Sequence, residues 1–216
     1  MNHWIEFKDW LQVRLQQPLP GYEAQKKMMS VLRPDASQAP DAARQSGVLL
    51  LFYPTANDIK LILIERSIDG GVHSGQLAFP GGKKEETDAD IIETALREAN
   101  EEVALKSDTA IVLGKLSALY IPVSNFVVNP VVAICDGEPA LIASEAEVAS
   151  ILHLSINTLF SKKEMVQVLV SGGSLNIRTI AYMLDDGKFI WGATAMILSE
   201  VETMLIEGQS LKEALH

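Results

Sequence analysis

This 216-residue chain is poor in cysteine, in positive charge and in long apolar runs. Its single cysteine, Cys135, excludes an internal disulfide and fits a reducing cytoplasm. Lys and Arg number 18 against 28 Asp and Glu, a net charge of −10. That deficit argues against a broad nucleic-acid-binding or anionic-membrane surface, because both need clustered positive charge. No stretch approaches the ~18 apolar residues that a transmembrane helix needs. The opening MNHWIEFKDW carries Glu6 and Asp9 among aromatics, not a basic segment ahead of an apolar one. The expectation is a cytoplasmic protein with no membrane and no nucleic-acid partner. What is present is ordinary globular composition, 48% hydrophobic and 21% charged, long enough for one domain with extensions or two small ones.

Trp4, Phe7, Leu11 and Leu15 recur at helical spacing, so residues 3–16 are expected to form a helix that Pro18 and Pro20 end. A second short helix over 22–31 and a Pro- and Ala-rich loop over 33–47 follow. GVLLLFYP (47–54) and KLILIERS (60–67), with Asn57-Asp58 between them, read as a β-hairpin of largely buried strands. Residues 68–82 hold five glycines and read as a loop long enough to suggest function. Residues 89–103 are helical, with Asp88 and Asp90 at the acidic end. Strands are expected near 110–120, 126–135, 148–154, 165–170 and 174–184, a helical turn near 155–161 and a last helix over 192–207. This order of mixed elements gives an α+β fold. It divides into an N-terminal helical extension and loop (1–45), a main domain (46–207) and a C-terminal tail (208–216).

The helix at 89–103 carries the functional signal. With successive residues about 100° apart, Ile92, Ala99 and Val103 fall near Leu96 on the core face. Glu98, Glu101 and Glu102 cluster on the opposite side. A solvated acidic stripe is the plain interpretation, but two costs oppose it. Glu98 and Glu102 are a like-charge i, i+4 pair, and all three sit towards the end of the helix where the macrodipole disfavours negative charge. Three hard oxygen ligands on one rigid element suit Mg²⁺ or Mn²⁺. Such a cation would also draw an anionic substrate to a negatively charged protein. Arg97 can hold a carboxylate in place, and the Gly81-Gly82 pair upstream allows close backbone approach to a ligand.

The stretch from Gly82 to Leu105 resembles the Nudix box, G-x(5)-E-x(7)-R-E-U-x-E-E-x-G-U with U apolar. Arg97, Glu98, Glu101 and Glu102 match, with apolar Ala99 and Leu105. Ala104 stands where the pattern has Gly, the Gly-to-Arg distance is one residue longer, and Asp88 stands in for the upstream Glu. The segment I-L-I-E-R-S-I-D-G-G-V-H-S-G-Q-L-A-F-P-G-G (62–82) resembles the additional motif of the coenzyme A pyrophosphatase branch, L-L-T-x-R-S-x(3)-R-x(3)-G-x(3)-F-P-G-G. Arg66, Ser67, Gly75, Phe79, Pro80, Gly81 and Gly82 match at the same spacing, whereas Ile64 replaces the Thr and Gly71 the second Arg. Residues 124–133, 144–152 and 189–197 look like later blocks of the same branch.

The resemblance implies an α/β/α sandwich around a mixed sheet and hydrolysis of a nucleoside diphosphate linked to another group. It further implies one or more Mg²⁺ or Mn²⁺ held by Glu98, Glu101, Glu102 and the Gly82 carbonyl. Arg97 would orient a carboxylate, and Glu101 would be the general base, with Glu145 and Glu147 as loop alternatives. Arg66, Ser67, His73, Gly81 and Gly82 would bind a small-molecule nucleotide. Coenzyme A or its derivatives is the leading substrate. ADP-ribose, a dinucleotide or a nucleoside triphosphate is the alternative that Gly71 favours, and a non-catalytic nucleotide-binding protein is a third reading. A homodimer, common in the family, is the assembly the resemblance suggests. His153, Cys135, Trp191, Lys162-Lys163 and the stripe Met196, Val201, Met204 and Leu205 read as packing or surface residues.

Overall fold

The computed structural model describes residues 2–30, 38–67, 75–170 and 175–214. In chain order the elements begin with α1 (Asn2–Arg14), α2 (Gly21–Gln25) and a 3-10 turn (Lys26–Met28). Next come β1 (Arg44–Pro54), β2 (Ile59–Arg66), β3 (Leu77–Ala78), β4 (Gly81–Lys83) and α3 (Ile91–Val103). They are followed by β5 (Ile111–Lys115), β6 (Leu119–Ile121), β7 (Phe126–Ile134), β8 (Val148–Ser155) and α4 (Ile156–Leu159). The last are β9 (Lys163–Val170), β10 (Leu175–Met183), β11 (Phe189–Ile190) and α5 (Gly192–Ala214).

β1 is the spine of an eight-stranded sheet. The expected hairpin with β2 forms, closed by the Thr55 amide donating to the Asp58 carbonyl at 2.8 Å. On its other edge β1 runs parallel to β7, from Arg44 beside Phe126 to Phe52 beside Ile134, which makes the sheet mixed. Near its start β1 also pairs with β4, placing Gly47 opposite Gly82. β9, β10 and β11 form a separate three-stranded sheet.

Both faces of the main sheet are buried, which is why its strands read as unbroken apolar runs rather than alternating ones. Leu49, Leu51 and Tyr53 share one core with Ala95, Ala99 and Val103 of α3. Leu50 and Phe52, pointing the other way, share the second core with Trp4 and Leu11 of α1 and Met196, Leu198, Val201 and Met204 of α5. The result is an α/β/α sandwich. Burying one such Leu or Phe contributes ~1.5–3 kcal/mol, so these two cores outweigh exposed pairs such as Lys162–Glu164, worth ~0–1 kcal/mol each.

Several elements differ from expectation. The strand expected over 110–120 is two, β5 and β6, both paired with β7. The helix expected over 22–31 is five residues of α2 and the 3-10 turn. The expected loop 68–82 ends in the short strands β3 and β4, because its last glycines lie against the start of β1. The last helix runs on to Ala214 instead of stopping at 207. Among the described residues, no helix is long and apolar enough to cross a membrane.

α3 has a defined start and a strained end. The Asp90 carboxylate accepts from the amides of Ile92 and Glu93 at 2.8 and 3.0 Å, satisfying two otherwise unpaired donors. At the other end Ala104 lies at φ 53°, the left-handed cap conformation. That is the place where the Nudix pattern has glycine, and a side chain there costs ~1–2 kcal/mol.

Candidate active site

The carboxylates of α3 meet different environments. Glu102 is the buried one, with its side chain 1% exposed. Its Oε2 accepts from the Gly81 amide at 2.8 Å and its Oε1 from Arg66 Nη1 at 3.2 Å. Glu98 is half-buried against Gly82, where an added Cβ would overlap the Glu98 carboxylate. Glu101 is exposed and lies against Arg97 Nη1 at 3.2 and 3.3 Å. The face opposite the core is therefore not a uniform solvated stripe. β4 and Arg66 cover it at Glu102, and a helical wheel cannot show what comes to lie on a face.

Arg97 organises the surroundings. Its Nε and Nη2 grip Asp88 Oδ1 and Oδ2 at 2.9 and 3.1 Å, its Nη1 reaches Glu98 at 2.9 Å, and its Nη2 also donates to the Lys83 carbonyl at 3.1 Å. Asp88 is buried and further held by the Thr94 hydroxyl and the Glu85 amide, both at 2.9 Å. One guanidinium thus ties the segment before α3, the end of β4 and two helix glutamates into a single unit. Thr94 and the Lys83 carbonyl were not anticipated. The signal for Thr94 was its position three residues before Arg97, on the same helix face.

The loop before β8 closes the site. The Ile142 and Ser144 amides donate to the Val103 and Glu102 carbonyls at 3.0 and 2.8 Å, and the Ser67 amide donates to the Glu147 carbonyl at 2.9 Å. These bonds bring Glu147 and Ser67 beside Arg66 and α3. His73 and Gly71 lie outside the described residues.

The electrostatics follow from this packing. Burial pushes the Glu102 carboxyl up to about 7, against the pull of the Gly81 amide and Arg66, and Glu98 and Glu147 add to the rise. Burial also raises Glu98, with Glu101 and Glu147 adding to it and Arg97 opposing. The hydrogen bonds from Arg97 hold Asp88 well below the usual carboxylate range, despite its burial. Carboxylates that raise one another in this way, beside a glycine backbone, present hard oxygen donors that fit a divalent cation. Among the described residues, no three His, Cys, Asp or Glu side chains stand close enough to hold a metal on their own.

The NUDIX domain family description matches residues 43–159, more than half of the chain. The chain belongs to the Nudix family. It is 36% identical to the "Uncharacterized Nudix hydrolase NudL" of Pectobacterium atrosepticum over 73% of this chain and 81% of that one. It is 34% identical to the protein of the same name from Yersinia enterocolitica, over 86% and 85%. In fold it resembles the crystal structure of a MutT/nudix family protein from Enterococcus faecalis, with a TM-score of 0.54 at 17% identity, over 94% of this chain and 69% of that one. The protein is a Nudix hydrolase, an enzyme class that generally uses divalent cations.

Cys135 is buried, and burial pushes its thiol up. The Tyr53 hydroxyl and His153 Nδ1 share a 2.7 Å hydrogen bond at the surface of β8.

Proposed function

We propose that this Nudix hydrolase cleaves the phosphoanhydride of coenzyme A or an acyl derivative, giving 3′,5′-ADP and (acyl-)4′-phosphopantetheine. The observation that supports the chemistry is the setting of Glu98 and Glu102 against the Gly81–Gly82 backbone, with Arg66 at the edge. What supports coenzyme A is the 62–82 pattern together with the longer spacing from Gly82 to Arg97.

Glu98, Glu102 and the Gly82 carbonyl would hold Mg²⁺ or Mn²⁺, while Glu101 is engaged by Arg97. When bound, the cation neutralises diphosphate charge and acidifies an attacking water. Arg66, whose guanidinium is partly exposed, donates to a phosphate oxygen. Arg97 holds Glu98 and Glu101 at set positions on the helix. The water proton passes to Glu147. What supports Glu147 over Glu145 is its electrostatic coupling to both Glu98 and Glu102, and what supports it over Glu101 is that Arg97 already engages Glu101.

The test is product analysis with coenzyme A, ADP-ribose, NADH and nucleoside triphosphates, with and without Mg²⁺ or Mn²⁺. Metal-dependent 4′-phosphopantetheine from coenzyme A supports the reading. Turnover of another diphosphate instead overturns the coenzyme A assignment and leaves the reaction class standing. Gly71, in place of the second Arg of the motif, favours that second reading.

A further inference from the structure

A cavity of about 680 Å³ lies between α1, the end of α5 and the β1–β2 turn. It is distant from the catalytic residues. β1 carries Gly47, opposite Gly82, near one end and Pro54, in the cavity wall, at the other. Seven residues of strand at about 3.3 Å each separate them by roughly 23 Å. The cavity also adjoins the α1–α5 layer, whereas α3 packs on the opposite face of the sheet.

One wall is aromatic. Trp4, Phe7 and Trp10 follow one another along α1, with ring centroids 6.0 and 5.8 Å apart. Three carboxylates, Glu6, Asp58 and Asp136, share the lining with His3, and among the described residues no Lys or Arg does. Lys8 and Lys60 pair with Asp136 and Asp58 at 3.1 and 2.9 Å from outside that lining. The Trp4 indole N–H donates to Asp136 at 3.3 Å, which joins the aromatic wall to the acidic one.

Ring faces attract positive charge, apolar walls accept hydrocarbon, and carboxylates repel phosphate. A nucleotide, the ligand class of the Nudix site, is therefore disfavoured here. The net charge of −10 reinforces the preference for a cation. We infer that this cavity is a second binding site, separate from the catalytic one, for a small organic cation with an apolar or aromatic body.

The test titrates the whole chain with benzyltrimethylammonium, with choline and with 3,3-dimethylbutan-1-ol, the uncharged carbon analogue of choline. Tryptophan fluorescence and calorimetry report binding. The expected result is binding of both cations, benzyltrimethylammonium the tighter, with the alcohol about tenfold weaker than choline. Asp136→Asn and Trp10→Leu should each weaken the cations about tenfold, while circular dichroism and the melting curve confirm the fold. Equal binding of the alcohol would overturn the inference. So would silence of both readouts at ~10 mM, a range that covers even millimolar affinities, or undiminished binding by both folded variants.

Discussion

The Gly81 amide and the buried Glu102 carboxylate meet at 2.8 Å. β4 and α3 are thereby joined through a charge, and a buried charge costs stability unless it is fully compensated. Neither the amide nor Arg66, at 3.2 Å, brings the Glu102 pKa back to its usual range.

Glu102→Gln should stabilise the metal-free protein. The folded-state pKa is raised from 4.5 to about 7, so the contribution of Glu102 is most favourable below pH 4.5 and is lost as pH rises through 7. At 1.36 kcal/mol per unit the effect is of the order of 3 kcal/mol. Thermal melts in EDTA between pH 5 and 8 should show wild-type stability declining and the variant staying flatter. Added Mn²⁺ should raise the wild-type melting temperature alone. A variant that melts lower than wild type at pH 8 in EDTA would contradict this account.

Asp88→Asn acts with the opposite sign. Arg97 depresses the Asp88 pKa, so its contribution is present above the ordinary value of 3.8 and disappears as pH falls through the lower folded value. The variant should lose ~2–4 kcal/mol near neutrality. It should also lose part of the acid-side decline expected of wild type in urea titrations at low pH. Equal midpoints for the two proteins at pH 7 would show that the Arg97–Asp88 pair is energetically idle.

Ala104→Gly should stabilise the fold by ~0.5–1 kcal/mol, since relief of the left-handed alanine exceeds the entropy glycine gains in the unfolded chain. Chemical denaturation reads this directly, and a destabilised variant would mean that the Ala104 methyl makes contacts worth more than the strain.

Glu147→Gln should lower kcat ~10²–10⁴-fold as a lost general base, with little change in metal affinity. Glu145→Gln should leave kcat within about twofold, since nothing beyond sequence proximity supports a role in proton transfer. If Glu101→Gln rather than Glu147→Gln abolishes the acidic limb of the pH–rate profile, the base is Glu101.

Much of this was legible in the residues. The spacing of Ile92, Leu96, Ala99 and Val103 located α3, and Asp88 was recognisable as the acidic group set before it. The apolar runs located β1 and β2 but not the direction of β7, because buried parallel and antiparallel strands carry the same composition. β4 was hidden inside a glycine-rich loop. Three residues have too little pattern to signal a strand, and only their pairing with Ser46, Gly47 and Val48 creates it. The aromatic repeat of α1 was visible, but the space beside it depends on where Pro54, Asp136 and Leu205 arrive.

β1 serves two cores at once, with Leu49 and Leu51 on one side and Leu50 and Phe52 on the other. A single inserted residue between Gly47 and Leu51 would turn every later side chain to the wrong layer and disturb both cores together. Length change along this strand is therefore admissible only in steps of two. Even then Gly47 would leave its place opposite Gly82, so the strand's phase is also the phase of the active site.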